Sequence, residues 1–348
     1  MIALRKTAAA FGAELVRMAA PAVPSADSVI IEVVATGICG SDVHAYEWTP
    51  GYEFMAAHLP LTIGHEFSGI VRSVGTAVTE RMPGERVVCW PTIACTRCTA
   101  CMAGRLQHCP ERKVIGLHRN GGFARCVEVP ARNCFRVPDG LDLETAALAE
   151  PLSIAVNAVD VADIGEGDRV VVLGPGPIGL GAALVAARRG AQVLIAGLND
   201  TARLTIARDM GIAGAVDIAT TSLDNAVKAA FGDKADRVIE ATGIVDSITD
   251  GLTVLRPGGI LTAAGIHTKP LELDLTRFIR EKKQLRAAHD TTHAAFEEAI
   301  SLLSGNADSL ARMITHRKPL AEAAEAFALA RARQAVKVML IPPQEEDQ

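Results

Sequence analysis

The sequence predicts an α/β protein in which a doubly wound parallel sheet is joined to a separate β-rich domain. Three observations carry that expectation. A β-branched run, Arg169–Leu173, leads through Gly174, Gly176 and Gly179 into an apolar helical segment that stops near Gly190. From there strand-like and helix-like stretches alternate, as repeated βα units do. Residues 1 to about 150, by contrast, read as mostly β.

Taken in order, residues 29–35 (V-I-I-E-V-V-A) and 67–74 are strand-like, since β-branched residues suit a pleated, half-buried surface. Pro83-Gly84, Asn120-Gly121-Gly122 and Pro138-Asp139-Gly140 punctuate as turns. The run at Arg169–Leu173 is too short for a helix and suits a strand buried on both faces. In the G-x-G-x-x-G turn after it, Gly174 bends tightly, Gly176 admits a pyrophosphate, and Gly179 lets helix and strand pack closely. The helix that follows aims unpaired N–H groups and its positive dipole end at such a phosphate. Residues 170–187 carry no charge, but the prolines and glycines among them make a membrane span a poor reading. Residues 191–196 form a second strand, and Asp200 caps a helix that ends at Gly211. Residues 215–217, 237–241 and 260–264 follow as further strands. After about Arg286 the pattern turns helical, with Phe296, Ile300 and Leu303 on one face. An apolar run at 336–341 returns as a strand, and a polar tail occupies 344–348.

A chain of 348 residues predicts about two domains. Its 49% hydrophobic and 22% charged residues are ordinary for a soluble globular protein. A formal net charge of −5 supplies no electrostatic footprint for nucleic acid or an anionic membrane. Residues 1–16 mix Arg5, Lys6 and Glu14 among apolar side chains, unlike a secretory leader, so the expected location is the cytoplasm. That setting bears on the eight cysteines. Four of them crowd into one lobe, which in a reducing compartment favours metal over disulfides.

The lobe reads Cys95-x2-Cys98-x2-Cys101-x7-Cys109. Four thiolates at such spacings close a tetrahedron around Zn²⁺ with no open position, a structural site that folds a loop of little apolar content. An iron–sulfur cluster takes the same four ligands and stays open at this point. A second group is scattered: Cys39 in T-G-I-C-G-S-D-V-H, His65 and Glu66 in I-G-H-E-F-S-G, and Glu150 before Pro151 in L-A-E-P-L. A thiolate, an imidazole and a carboxylate with one open position make a catalytic zinc. Spacing alone does not join these residues, because a single cysteine is usually a core thiol and a His-Glu pair often lies at the surface. Cys89, Cys126 and Cys134 read as core thiols, and His58, His118 and His316 carry no assignment.

The order C-G-S-D-x-H, G-H-E, four-cysteine lobe, E-P and G-x-G-x-x-G resembles the zinc-dependent medium-chain dehydrogenases over essentially the whole chain. Glu150-Pro151 is similar to sorbitol and threonine dehydrogenases, the E-P-L-S segment to polyol enzymes, and His44-Ala45-Tyr46-Glu47-Trp48 to threonine dehydrogenase. The resemblance implies a GroES-like catalytic domain over 1–152 and 288–348, with its zinc lobe at about 89–112. A Rossmann dinucleotide-binding domain over 153–287 would interrupt it. By the same resemblance Cys39, His65 and Glu66 ligate a catalytic zinc, with Glu150 as a fourth or exchanging ligand, and Ser41 and His44 relay a proton. Cys95, Cys98, Cys101 and Cys109 hold the structural zinc, and Gly174, Gly176, Pro177, Ile178 and Gly179 meet the cofactor.

One position departs from the family pattern. NAD-using members place an Asp at the end of the second strand to bind the adenosine ribose, and here Gly197 stands there in a loop one residue longer. Asn199 or Asp200 is expected to take the ribose instead, with Arg203 on the adenine side or facing a 2′-phosphate. NAD is the expected cofactor, and NADP stays open. The implied activity is zinc-dependent hydride transfer from a secondary alcohol of a polyol, sugar or cyclitol to the nicotinamide. L-threonine 3-dehydrogenase is the runner-up. A reading of another class is a non-catalytic redox sensor that binds zinc and dinucleotide. The set Cys39, Ser41, His44, His65 and Glu66 argues against it, since a pure binder needs no open metal site. The expected partners are a small-molecule alcohol and further copies of the chain in a dimer or tetramer, without nucleic acid or membrane. Tyr46 and Trp48, just beyond His44, either line the substrate pocket or pack as loop aromatics.

Overall fold

The computed structural model describes residues 1–344; positions 345–348, which hold most of the polar tail, lie outside the described residues. By internal contacts the chain divides into two compact units. One comprises Met1–Glu150, Thr292–Ala307 and the chain from Ile314 onward, and the other comprises Pro151–Thr291 and Asp308–Met313.

The second unit holds a six-stranded sheet in which every pairing is parallel. Its strands are Arg169–Leu173, Gln192–Gly197, Gly214–Asp217, Ala235–Glu240, Leu255–Ala263 and Gln284–Ala287. They lie side by side in the order third, second, first, fourth, fifth, sixth. Parallel neighbours cannot be joined by a hairpin, so helices such as Pro177–Arg188, Thr201–Asp209 and Val245–Val254 make the crossovers. Val170, Val171 and Val172 have no exposed surface, as a strand covered on both faces requires. The strand order reverses between Arg169–Leu173 and Ala235–Glu240, and such sheets bind ligands outside the strand ends at that reversal.

Three details differ from the sequence expectation. The fifth strand runs Leu255–Ala263, starting five residues before the expected 260 and including Pro257 and Gly258. The sixth strand, Gln284–Ala287, stands where the sequence suggests only a helix beginning; it is a short edge strand with mostly exposed side chains and so has no apolar signature. Asp200 does head the helix Thr201–Asp209, but its side chain makes no capping bond.

In the first unit a seven-stranded sheet runs Cys134–Arg136, Arg86–Cys89, Glu66–Val74, Ser28–Gly37, Lys337–Ile341, Ile314–Pro319, with Cys126–Pro130 also paired to Ser28–Gly37. All its pairings are antiparallel except the last two strands of the run. Two registers position the site: Gly37 lies opposite Glu66 on one side and opposite Met339 on the other. The C-terminal strand is thereby brought next to the segment that carries Cys39. Leu4, Phe123, Phe327, Val338 and Leu340 pack one core beside this strand, and Val29, Ile31, Phe67 and Val127 belong to a second. Phe296, Ile300 and Leu303 are buried along the helix His293–Ala311, on the face expected of them. No helix among the described residues is long and apolar enough to cross a membrane.

Candidate active site

The four-cysteine lobe is a loop whose ends are tied by the short paired strands Thr92–Ile93 and Lys113–Val114. All four sulfur atoms lie within 4.8 Å of one another. Cys98 Sγ is 3.5 Å from Cys101 Sγ, and Cys95 Sγ is 4.0 Å from it. Zinc–sulfur bonds of about 2.3 Å in a tetrahedron set the sulfurs about 3.8 Å apart, so the residues present fit the ion. Backbone N–H groups also turn toward the sulfurs. Cys95 N–H donates to Cys109 Sγ at 3.4 Å, and the N–H groups of Arg97 and Cys98 lower the Cys95 thiol to about 6. Burial pushes the Cys101 thiol up to about 12. Apart from the cysteines the lobe's apolar cluster contains only Ala94 and Leu106, so cross-linking through a metal takes the place of a core.

No other group of three or more candidate ligands is drawn so close together among the described residues. The scattered set nevertheless converges. Cys39 sits at the N-terminus of the helix Gly40–Glu47, and its N–H donates to Asp42 Oδ2 at 3.0 Å. The other oxygen of this buried carboxylate lies 3.5 Å from His65 Nδ1. His65 Nε2 is thereby turned the opposite way, 3.3 Å from Ser41 Oγ. An imidazole braced at one nitrogen by a carboxylate, with the other presented, is the arrangement that orients metal-binding histidines. Burial opposes a charge on His65, but the neighbouring Asp42 and Cys39 outweigh it and hold its pKa well above the ordinary value.

Glu66 is equally buried, and both its oxygens accept from Lys337 Nζ, at 2.7 and 2.5 Å. The same ammonium donates to Ile38 O at 3.0 Å, one residue before Cys39. Desolvation works against this lysine's charge, and Glu66, Cys39 and Glu150 together raise its pKa. Lys337 is thus the point on which the thiol and both carboxylates act. Gly37 makes room for the pair: a Cβ there would overlap Glu66 Oε2 and come within 3.2 Å of Lys337 Cδ. Thiol, imidazole and carboxylates suit zinc, and they are gathered without being closed around a point, since Ser41 faces His65 and Lys337 holds Glu66.

His44 Nδ1 lies 3.0 Å from Thr49 Oγ1, and its ring stacks on Tyr52 at 5.6 Å. Burial lowers its pKa, with Glu47 partly opposing. Tyr52 is itself buried, and its phenol is pushed up by burial, Cys39 and Asp42. Tyr46 and Trp48 do not face the site. Tyr46 stacks on Phe327 at 4.5 Å, Trp48 lies under Lys6 Nζ at 5.3 Å, and both pack against the core. The packing alternative is the one the structure adopts. Sequence reasoning missed Asp42, Tyr52, Lys337 and Gly37. Only Asp42 had a local signal, as the acidic third residue of a helix capped at Cys39.

In the other unit the three glycines of the turn differ in their surroundings. Gly174 has φ +101°, and a Cβ there would meet Thr242 Cγ2 at 2.8 Å. Gly176, which precedes Pro177 at the helix start, has nothing within 4 Å of such an atom. A Cβ at Gly179 would collide with the Gly174 carbonyl. The middle glycine alone opens onto space that a pyrophosphate needs, and Pro177 and Ile178 begin the helix behind it. The next loop is held by Asp217, which the sequence did not single out. Its carboxylate accepts from the N–H groups of Asn199 at 2.9 Å, Asp200 at 3.1 Å and Ala219 at 3.0 Å. Those bonds, Ala219's first, lower its pKa. Asn199 takes a left-handed φ of 52°. The Asp200 carboxylate is engaged by the Arg203 guanidinium, with 12% and 18% of the two side chains exposed.

Residues 25–139 match the alcohol dehydrogenase GroES-like domain family, and residues 143–341 match the glucose dehydrogenase C-terminus family. The chain is 35% identical to sorbitol dehydrogenase of Halalkalibacterium halodurans, over 98% of this chain and 99% of that one. It is 36% identical to L-threonine 3-dehydrogenase of Bacillus subtilis, again over 98% and 99%. Among solved structures, a zinc-binding dehydrogenase from Sinorhizobium meliloti 1021 bound to NADP superposes with a TM-score of 0.88 at 30% identity, covering 98% of this chain and 99% of that one. A Rossmann-like sheet with a GroES-like domain, matched over its whole length to such enzymes, defines a nicotinamide-dependent alcohol oxidoreductase. The chain belongs to the zinc-dependent medium-chain alcohol dehydrogenase family.

Proposed function

We propose that this enzyme oxidises a secondary alcohol of a polyol, sugar or cyclitol and passes the hydride to NAD. The observation that carries the reading is the convergence of Cys39 with the buried His65, Glu66 and Glu150 beside Ser41 and His44. A zinc ion held there would supply a Lewis acid that lowers the pKa of an alcohol hydroxyl, and the nicotinamide would accept the hydride. Asp42 keeps Cys39 and His65 in register with each other. Glu66 shares both oxygens with Lys337, which competes with a metal for them and suits an exchanging role, whereas Glu150 enters from the first turn of the helix Ala149–Val161. Ser41 takes the substrate proton at Oγ. His44, neutral and held at Nδ1 by Thr49, moves it toward solvent.

We assign Gly174, Gly176, Pro177, Ile178 and Gly179 to the pyrophosphate, and the Asn199–Asp200 turn to the adenosine ribose. Asp200 meets the charge of Arg203, so the pair offers little attraction to a 2′-phosphate and NAD is favoured. We also take the protein to be cytoplasmic and to assemble as a dimer or tetramer. The edge strand Gln284–Ala287 and the exposed Leu275 and Ile279 just before it support the assembly.

A screen of polyols, cyclitols and L-threonine against NAD⁺ and NADP⁺, following reduced nicotinamide, tests the proposal. Turnover of secondary alcohols with NAD⁺ is expected. A kcat/KM for L-threonine far above every polyol would replace this reading with threonine dehydrogenase.

A further inference from the structure

Two histidines that neither the metal sites nor the relay uses stand at the end of a row of rings. The row starts at His44, whose ring stacks on Tyr52 at 5.6 Å. Tyr52 is followed by Phe54 at 5.9 Å, Phe54 by His118 at 4.9 Å, and His118 by His58 at 5.2 Å. Tyr52 is buried and Phe54 is 43% exposed, so Phe54 is the ring of the row on which a carbon chain can lie. The row leaves the relay side chain and ends in two imidazoles.

The chemistry of that end is specific. Val114 N–H donates to His118 Nδ1 at 3.2 Å, which requires a lone pair on Nδ1 and so places the proton of the neutral ring on Nε2. His118 therefore presents an N–H donor away from its own backbone contact. Burial and the charges of His58, Arg112 and Lys113 all disfavour protonating it. Burial opposes a charge of either sign, whereas the cations Arg112 and Lys113 oppose a further positive charge and attract a negative one. An N–H donor in such a field recognises anionic oxygen, and a carboxylate and a phosphate ester share that chemistry.

We propose that His118 and His58, with Arg112 and Lys113 around them, form a subsite for the anionic end of the substrate, so that the enzyme acts on polyols bearing a carboxylate or phosphate several carbons from the oxidised alcohol. The inference rests on the polyol reading above and narrows it to acidic polyols. His118 and His58 act as specificity residues, reading one end of a ligand whose other end reacts near Ser41 and His44.

The test compares kcat and KM for hexitols, the matching hexonates and the matching hexitol phosphates, across the gluco, galacto and manno series in both enantiomers. Wild type, His118→Phe and His58→Phe are assayed side by side. His118→Phe keeps a ring against Phe54 and removes the donor. Wild type is expected to favour the charged members by about tenfold or more, with the preference falling as salt is added. Each variant should erase about tenfold of that preference through KM while leaving kcat/KM for neutral hexitols within about twofold. A preference for hexonates identifies a carboxylate, one for the phosphates a phosphate, and either supports the subsite. Neutral hexitols used as well as their charged counterparts would overturn the subsite and leave the polyol function standing. Equal losses on neutral and charged substrates in the variants would also overturn it, by showing that the histidines only support the fold. Should His118→Phe not fold, His118→Leu, which also lacks a donor, and His58→Phe carry the same comparison. If no polyol of any kind is oxidised while another alcohol is, the polyol function and this subsite fall together.

Discussion

Single side chains couple the parts of this site. Asp42 binds the Cys39 N–H with one oxygen and faces His65 with the other. Asp42→Asn should weaken metal retention there by about 10–100-fold while the four-cysteine lobe keeps its ion. Zinc per chain, measured after dialysis against a chelator, should then fall from about two to about one. An unchanged content would mean that the imidazole needs no such brace. Lys337→Met would leave Glu66 buried beside an apolar side chain, at a cost of about 3–5 kcal/mol in urea unfolding. Asp200→Ala releases Arg203 from its partner and should move kcat/KM toward NADP⁺ by about tenfold, or about 1.4 kcal/mol. An unchanged cofactor preference would show that Arg203, once released, does not attract the 2′-phosphate. His44 is held below the ordinary imidazole value, chiefly by burial, so it stays neutral to lower pH than an exposed histidine. The acid limb of kcat/KM should therefore fall below about pH 6.5, and His44→Ala should remove that limb and respond to added buffer base. If the pH profile does not change in the variant, His44 is structural.

At the scale of elements, the turn from Arg169–Leu173 into Pro177–Arg188 separates folding from binding. Gly179 is required by the fold, because a methyl group there meets the Gly174 carbonyl and forces the helix off the strand. Gly176 faces open space, so a methyl group there disturbs nothing until a ligand arrives. Gly179→Ala should lower the melting temperature markedly. Gly176→Ala should leave stability within about 0.5 kcal/mol and weaken dinucleotide binding by about tenfold or more. Calorimetry on the free proteins and titration with NAD⁺ distinguish the two, and equal stability losses would refute the division. The cysteine lobe is the opposite kind of element, with almost no core of its own, so its fold depends on the ion that its sulfurs are spaced to hold.

For the whole molecule, the two units have separate cores, one around Val171, Val238 and Leu261 and the others around Phe327 and Val29. Ligands should therefore move their unfolding differently. NAD⁺ at about one hundred times its Kd should stabilise the unit with the parallel sheet by about 2.7 kcal/mol. Chelation should instead lower the transition of the unit that carries the cysteines. Scanning calorimetry in which both treatments shift one transition in the same proportion would show that the units melt together.

Local chemistry made much of this legible in advance. The strand at Arg169–Leu173, the three glycines after it and the four-cysteine spacing each follow from requirements met within a few residues, and resemblance named the family from the order of such motifs. Tertiary structure decided what depends on distant segments. Lys337 lies 271 positions from Glu66, and only the pairing of Lys337–Ile341 beside Ser28–Gly37 brings its ammonium to that carboxylate. Asp200 is a ribose candidate by position, and only the turn that Asp217 holds sets its carboxylate against Arg203. His58 and His118 had no assignment, because a row of rings is assembled by folding and has no sequence period. Periodicity and spacing report what a short segment needs, whereas charge pairing and ring contacts depend on which segments the sheet registers bring together.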